Sequence, residues 1–167
     1  KFRYGQTIAL IALTIGNFHY SFIKKSFSVS VPTLKRELGL SNLGIGAITS
    51  KFSIAYGFSK FLGGILCDWY PADNLFNIGL LLGSLVNCVI ACCGEKVDIG
   101  FIWLTNGVAQ GVGGPALSKI VVDLFPPERV GSVWSMLNFA SNIGFLVSPF
   151  ILLPALNNWG WKGPFWL

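Results

Sequence analysis

Charged side chains are scarce in this sequence. Of its 167 residues, 11% are Asp, Glu, Lys or Arg and 53% are hydrophobic, whereas about 25% of the residues of an ordinary soluble domain are charged. A soluble chain of this length could not hide so much apolar surface in one core. The composition therefore argues against a soluble domain and favours membrane-spanning helices, in which Gly is commoner than in soluble ones.

Residues that carry catalysis or bind metal are also few. His19 is the only histidine, so no histidine pair can bind a metal ion, and the phosphate-cradling sequence Gly-x-x-x-x-Gly-Lys-Ser/Thr is absent. The four cysteines lack the paired spacing of zinc sites, and we interpret them as small buried side chains: Cys67, Cys88, Cys92 and Cys93. We therefore expect no enzyme activity, no metal and no cofactor.

The net charge of +5 does not indicate nucleic-acid binding. Nucleic-acid binding needs a basic patch on a polar face, whereas the cations of this chain are scattered between apolar runs. We expect the lipid bilayer to surround the chain and no nucleic acid to bind it.

Apolar segments long enough to cross a bilayer recur along the chain. A spanning helix needs about 20 mostly apolar residues, and the short polar loops between these segments force neighbouring helices to be antiparallel. One such loop is predicted at 94–98. After the first segment, which is considered separately below, helices are predicted at 43–66, 75–93, 99–122 and 130–156, and a sixth begins at 165–167. The sequence thus predicts an all-α membrane protein built as a helical bundle.

The first apolar segment contains two adjacent lysines, Lys24 and Lys25. A continuous helix over 6–34 would be about 43 Å long at 1.5 Å per residue, which is enough to cross a bilayer with tilt. A helix that ends at Ile23 would instead leave both ammonium groups at the membrane interface. Hydropathy alone favours the shorter helix.

The basic residues do not decide the orientation of the bundle. Cytoplasmic loops normally carry an excess of Lys and Arg. With the N-terminus inside, however, each side of the membrane receives four basic residues, which are Lys1, Arg3, Lys119 and Arg129 on the inner side and Lys35, Arg36, Lys96 and Lys162 on the outer side.

Lys60 lies in the second segment with apolar sequence on both sides and no acidic residue to neutralise it. An ionised side chain at the centre of a bilayer costs about 3 kcal/mol on insertion scales, so it faces a cavity or a partner. Tyr56, four residues earlier, shares its helix face. We interpret Lys60 as a ligand for an anion in a water-filled cavity. Lys51 lies about 180° around the helix and is interpreted as a snorkelling or interhelical lysine.

Two pairs of amides lie at i, i+4 spacing in the fourth and fifth segments. These are Asn106 with Gln110 and Asn138 with Asn142. Amides in membrane helices can simply join helices by hydrogen bonds, or they can line a polar, cation-bearing chamber together with Lys60. The fourth segment also carries a small-xxx-small pair, which predicts close packing against another helix: Gly107 and Gly111.

Four stretches of the sequence carry a family resemblance. They are 17–29, 52–61, 64–68 and 104–115. In that order they resemble the first helix, the second helix, the following loop motif and the fourth helix of the organophosphate:phosphate antiporters in the major facilitator superfamily. The similarity covers nearly the whole chain. Its loop lengths resemble those of the endoplasmic-reticulum glucose-6-phosphate exchangers, with the bacterial glycerol-3-phosphate and hexose-phosphate transporters close behind.

The resemblance implies a twelve-helix protein in two pseudo-symmetric halves with a cytoplasmic N-terminus, of which this chain is the N-terminal half. Such proteins work by alternating access around a midplane site. The expected activity is the exchange of a phosphorylated sugar or polyol, of the glucose 6-phosphate or glycerol 3-phosphate class, for inorganic phosphate. The expected location is the endoplasmic reticulum membrane in a eukaryote or the inner membrane in a bacterium.

The resemblance also implies roles for particular residues. Lys24 falls where the family has a phosphate-binding cation, usually Arg, which favours a first helix that is continuous over 6–34. Lys cannot supply the planar bidentate grip of Arg. Gly64 and Asp68 belong to the loop motif of the superfamily. Combined with the amide pairs, the expected substrate-binding residues are Lys24, Tyr56, Lys60, Gln110, Asn138 and Asn142.

Two rival interpretations remain open at this point. The first is a sugar-phosphate sensor on the same fold, which binds its ligand and signals without transport. The second is a structural helical bundle without a ligand, in which Lys60 is dispensable.

Overall fold

The computed structural model describes residues 2–93 and 98–167, and it is helical over nearly all of them. Of the predicted loop at 94–98, only Asp98 lies among the described residues. The helices are α1 (Phe2–Leu38), α2 (Asn42–Trp69), α3 (Ala72–Cys93), α4 (Ile99–Gly111), α5 (Gly113–Leu124) and α6 (Pro127–Trp159), followed by a 3₁₀ turn (Gly160–Lys162) and α7 (Gly163–Trp166). This architecture confirms the all-α bundle of five long helical units and the start of a sixth.

Local sequence signals set the helix boundaries at two of the turns. Gly39 adopts a φ of 63° directly after α1, a conformation that glycine reaches without steric cost. Ser41 then caps α2, because its hydroxyl oxygen accepts a hydrogen bond from the Gly44 N–H at 3.1 Å. The Asp98 carboxylate caps α4 in the same way, accepting from the Gly100 N–H at 2.8 Å. Both caps satisfy backbone donors that a helix start leaves free.

Helix α1 is continuous through both lysines. It contains 37 residues and is therefore about 55 Å long. The interpretation in which the first helix ends at Ile23 is wrong. Lys24 and Lys25 are both half-buried in the middle of this helix, where they point about 100° apart.

The fourth predicted helix, 99–122, is divided into α4 and α5 at Val112. Pro115 accounts for the break, because it has no N–H to donate to the carbonyl of Gly111 and its ring crowds that carbonyl. The Ala116 N–H, one residue later, again donates to the carbonyl of Val112 at 3.2 Å. Helices α4 and α5 nevertheless follow one another as a single unit of the bundle.

The bundle consists of two helix pairs joined by a third element. Helix α1 packs along α6, and α2 packs along α4 and α5, while α3 contacts both α4–α5 and α1. By contrast, α1 and α2 make little direct contact. We call this boundary between the two pairs the α1–α2 seam, and define it by Lys24 on α1 and Tyr56 on α2.

Judged by length and composition alone, two parts of the described chain could cross a membrane, Ala72–Cys92 and Pro127–Trp166. Helices α4 and α5 have only 13 and 12 residues because of the break between them. Large apolar side chains are nevertheless exposed on α2 and α6, including Phe58, Phe61 and Phe150. Soluble proteins rarely expose such extended apolar surfaces.

The interpretation of the cysteines as buried side chains is correct for Cys67 and wrong for Cys88 and Cys92. Cys67 is buried, whereas the other two are exposed one helical turn apart on α3. They lie on the same outer surface as Leu81 and Leu85, which are also exposed. A small apolar thiol suits a lipid-facing surface as well as a core.

Candidate anion-binding site

The α1–α2 seam is bridged by a contact between a cation and an aromatic ring. The Lys24 Nζ lies 4.1 Å from the centroid of the Tyr56 ring, well inside the range over which the face of an aromatic ring attracts an ammonium group. Both side chains are half-buried. The ion pairs of the described residues are Arg36–Glu37 and Lys51–Asp98, so Lys24 has no carboxylate partner there.

A ladder of stacked aromatic rings supports the Tyr56 ring. Phe52, one turn earlier on α2, stacks on Tyr56 at 5.9 Å between centroids and on Trp103 of α4 at 5.3 Å. Trp103 in turn stacks on Phe27 of α1 at 4.8 Å. Such pairs contribute beyond simple burial of apolar area. The plane of Tyr56 is therefore held by residues from three helices.

Lys60 lies one turn beyond Tyr56 on the same face of α2 and is exposed. It runs beside the start of α5, where a Cβ added to Gly114 would be 3.5 Å from the Lys60 Cε. Within residues 2–93 and 98–167 it has no carboxylate within ion-pair distance. Lys24 and Lys60 are therefore two cations without an acidic partner among the described residues, one in contact with the Tyr56 ring and the other one helical turn from Tyr56 on α2.

Lys51 has a different environment from these two lysines. Its Nζ lies 4.0 Å from the Asp98 Oδ2 at the start of α4, and both side chains are largely exposed. The interpretation of Lys51 as an interhelical lysine fits this pairing of α2 with α4.

Two glycines of α4 bring it unusually close to α2. A Cβ on Gly107 would lie 2.6 Å from the carbonyl oxygen of Phe52, and a Cβ on Gly111 would lie 2.6 Å from the carbonyl oxygen of Tyr56. Real Cβ atoms essentially never approach backbone so closely. This confirms the close packing predicted from the small-xxx-small pair. The same contact fixes the position of the Tyr56 backbone relative to α4.

We expect Gly111→Ala to destabilise the bundle, because the new methyl group must push α2 away from α4. Overpacking of this kind costs about 1–3 kcal/mol, which should lower the thermal unfolding midpoint of the purified full-length protein by several degrees. Gly46→Ala on α2 is the matched control, since no atom lies within 4 Å of its added Cβ. Equal midpoints for the two variants would contradict this account of the α2–α4 contact.

Gln110 lies in a buried chain of amides between α3 and α4. Its Nε2 donates to the Asn106 Oδ1 at 2.8 Å, and the Asn106 Nδ2 donates to the Asn87 Oδ1 at 3.4 Å. Gln110 is 1% exposed, and its Oε1 is a buried acceptor without a partner among the described residues. Sequence reasoning missed Asn87, whose signal was its position as one of two amides, with Asn77, in an uncharged and mostly apolar segment.

Asn138 and Asn142 are exposed on α6 and make no side-chain hydrogen bond within the described part of the chain. The polar contacts between α1 and α6 come from their neighbours instead. The Ser21 and Ser141 hydroxyls lie 2.6 Å apart, and the Asn17 Nδ2 donates to the carbonyl of Leu137 at 2.8 Å. The structure therefore does not join these two amides to Lys24 or Tyr56.

The loop-motif residues lie away from the seam. Gly64 and Asp68 are exposed near the end of α2, and Asp68 follows Lys60 by eight residues, about 12 Å along the helix axis. Two well-formed cavities of the described chain also lie elsewhere. One of about 470 Å³ is bordered by Glu37 and Asp98, and an apolar one of about 460 Å³ runs between α2, α3 and α4. Lys24 and Lys60 line neither of them.

A helical bundle with an extended apolar surface, buried amides and lysines without acidic partners among the described residues is typical of polytopic membrane proteins. Residues 13–167 match the family described as Major Facilitator Superfamily. The chain belongs to this family.

Relatives with described functions are similar over almost the whole chain. The membrane sensor protein UhpC of Escherichia coli (strain K12) is 28% identical over 97% of this chain, and a probable hexose phosphate transport protein of Chlamydia pneumoniae is 29% identical over 98%. The glycerol-3-phosphate transporter of Bacillus subtilis (strain 168) is 32% identical over 93%. The chain spans only 37%, 36% and 36% of the lengths of these relatives.

Proposed function

We propose that the full-length protein is an antiporter that exchanges a phosphorylated sugar or polyol for inorganic phosphate. Lys24 and Lys60 bind the phosphate group, and a further cation comes from a C-terminal half that completes the cavity. The two halves alternate in opening the site to either side of the membrane.

The observation that carries this proposal is that Lys24 contacts the Tyr56 ring, while Lys60 lies one helical turn further along α2. A cation without an acidic partner favours a bound anion, and Lys60 carries such a charge one helical turn from the residue that Lys24 contacts. Neither lysine has an acidic partner among the described residues, and Lys is a compact point charge suited to phosphate. Relatives named for hexose phosphate and glycerol 3-phosphate support an organic phosphate as the ligand.

Within this proposal, Gln110, Asn138 and Asn142 serve the organic part of the ligand. The unpartnered Oε1 of Gln110 supports a role as acceptor for a hydroxyl group, once the amide chain rearranges. The exposed amides of α6 are free to turn toward a cavity shared with the C-terminal half. Gly64 and Asp68 act in the change of conformation at the end of α2.

A sensor is the second proposed function, because the Escherichia coli relative is named a membrane sensor protein. It would use the same lysines to bind a sugar phosphate and would signal to a partner protein instead of moving the ligand. The bacterial relatives support a bacterial inner membrane over the endoplasmic reticulum as the location.

Reconstitution of the full-length protein separates the two functions. Liposomes loaded with inorganic phosphate are placed in radiolabelled phosphate, and then in radiolabelled phosphate with glucose 6-phosphate or glycerol 3-phosphate. An antiporter exchanges label across the membrane, and the organic phosphate that it accepts competes. A sensor binds radiolabelled glucose 6-phosphate or glycerol 3-phosphate without exchanging phosphate, and a protein that neither exchanges phosphate nor binds any of these three compounds would overturn both proposals.

A further inference from the structure

Lys24 is held by an aromatic face rather than by a carboxylate. The ammonium group of a lysine is a compact point charge and not a planar group like a guanidinium. The flexible four-carbon stem of the side chain loses rotamer freedom when the ammonium group is held in one place. Contact with Tyr56 at 4.1 Å restricts the stem before any ligand arrives. The ring covers one side of the ammonium group and leaves its N–H donors on the other side for an acceptor.

The ring is itself immobilised by its neighbours. Phe52 stacks on Tyr56 with an interplanar angle of 15°, and Gly111 of α4 abuts the Tyr56 carbonyl with no room for a side chain. Both the backbone and the ring of Tyr56 are therefore set by the α2–α4 contact. Because the Lys24 ammonium group rests on this ring, the fixed position of Tyr56 also restricts Lys24, which belongs to the helix pair α1–α6.

We propose that Tyr56 is a positioning residue whose ring face orients the Lys24 ammonium group for phosphate, through cation–π attraction and not through its hydroxyl group. This inference rests on the proposed function. Orienting the cation in advance lowers the entropy lost when the anion binds, which is the general advantage of a preorganised site.

The attraction depends on the negative charge of the ring face, which fluorine atoms withdraw without changing the shape of the ring. We therefore replace Tyr56 with Phe and then with mono-, di- and trifluorophenylalanine in the full-length protein. Binding of radiolabelled inorganic phosphate to the purified protein is the measurement. With Tyr56→Phe as the reference, we expect the fluorinated variants to bind phosphate progressively more weakly, by roughly tenfold over the series.

The same substitutions at Phe22 provide the matched control. Phe22 is buried on α1, two residues from Lys24, and stacks on Phe18 at 6.3 Å. Its fluorinated variants should bind phosphate like the wild type.

The outcomes separate this inference from the proposed function. Phosphate binding that stays constant across the Tyr56 series would overturn the positioning role. Phosphate binding that becomes tighter across the series would also overturn it, because the ring would then compete with the anion for Lys24. If Lys24→Gln alone abolishes binding while the Tyr56 series is flat, the inference fails and the site stands. If Lys24→Gln binds phosphate like the wild type, the proposed site itself is wrong.

Discussion

Replacing Lys60 with Ala in the full-length protein should abolish phosphate exchange. Lys60 is an exposed cation on α2 without an acidic partner among the described residues, so its removal takes away an anion ligand and leaves no buried carboxylate unpaired. Loss of a charged partner typically costs several kcal/mol of binding, which corresponds to a decrease in exchange rate of about a hundredfold or more. Exchange of radiolabelled phosphate in liposomes measures the loss.

Lys51→Ala is the control for this experiment. Lys51 lies on the same helix but pairs with Asp98 at 4.0 Å, and both groups are largely exposed. Exposed pairs contribute little to stability, so this variant should insert, fold and exchange phosphate like the wild type. Expression and thermal unfolding of Lys60→Ala should also stay near those of the wild type. Wild-type exchange by a folded Lys60→Ala protein would exclude Lys60 from the site.

The second large effect is expected at Lys24, in contrast with its neighbour Lys25. Lys24→Gln should lose most of the exchange activity, whereas Lys24→Arg should retain it, because a guanidinium group keeps the charge and also stacks on Tyr56. Lys25→Gln should have a far smaller effect, since adjacent helix residues point about 100° apart and the Tyr56 contact belongs to Lys24.

Accessibility tests the same geometry without relying on transport. The native cysteines are first replaced, because Cys88 and Cys92 are exposed and would react. A hydrophilic thiol reagent should then label Cys introduced at position 24, and inorganic phosphate should protect it. At position 25 labelling should be poor or unprotected by phosphate. Equal labelling at both positions, indifferent to phosphate, would contradict our assignment of Lys24 as the phosphate-binding residue of α1.

Some features of this site could be predicted from the sequence because they depend on local pattern. Lys60 stands out because it interrupts an apolar run, and Tyr56 is placed with it by i, i+4 spacing alone. The pair Gly107 and Gly111 predicts a close helix contact, because its i, i+4 spacing can also be read from the local sequence. Family resemblance extended the prediction to Lys24, where hydropathy by itself favoured a helix ending at Ile23.

Other features depend on partners far apart in the chain, which no local pattern encodes. The hydrogen-bond partners of the buried amides are one example, because Asn87 and Asn106 come into contact only when α3 packs on α4. The break at Val112 is another, because whether a proline bends or interrupts a helix depends on the packing around it. The exposure of Cys88 and Cys92 likewise follows from which face of α3 the bundle covers.

The sequence by itself therefore determined that this protein is a helical membrane bundle with cations among its apolar helices, because apolar length and helical periodicity are local properties. Only the tertiary structure decided which partner each cation has. It pairs Lys51 with Asp98 at the surface and sets Lys24 against the ring of Tyr56. The physical reason is that α2 packs on α4 while α1 packs on α6, so a contact across the seam between them depends on the packing of the whole bundle.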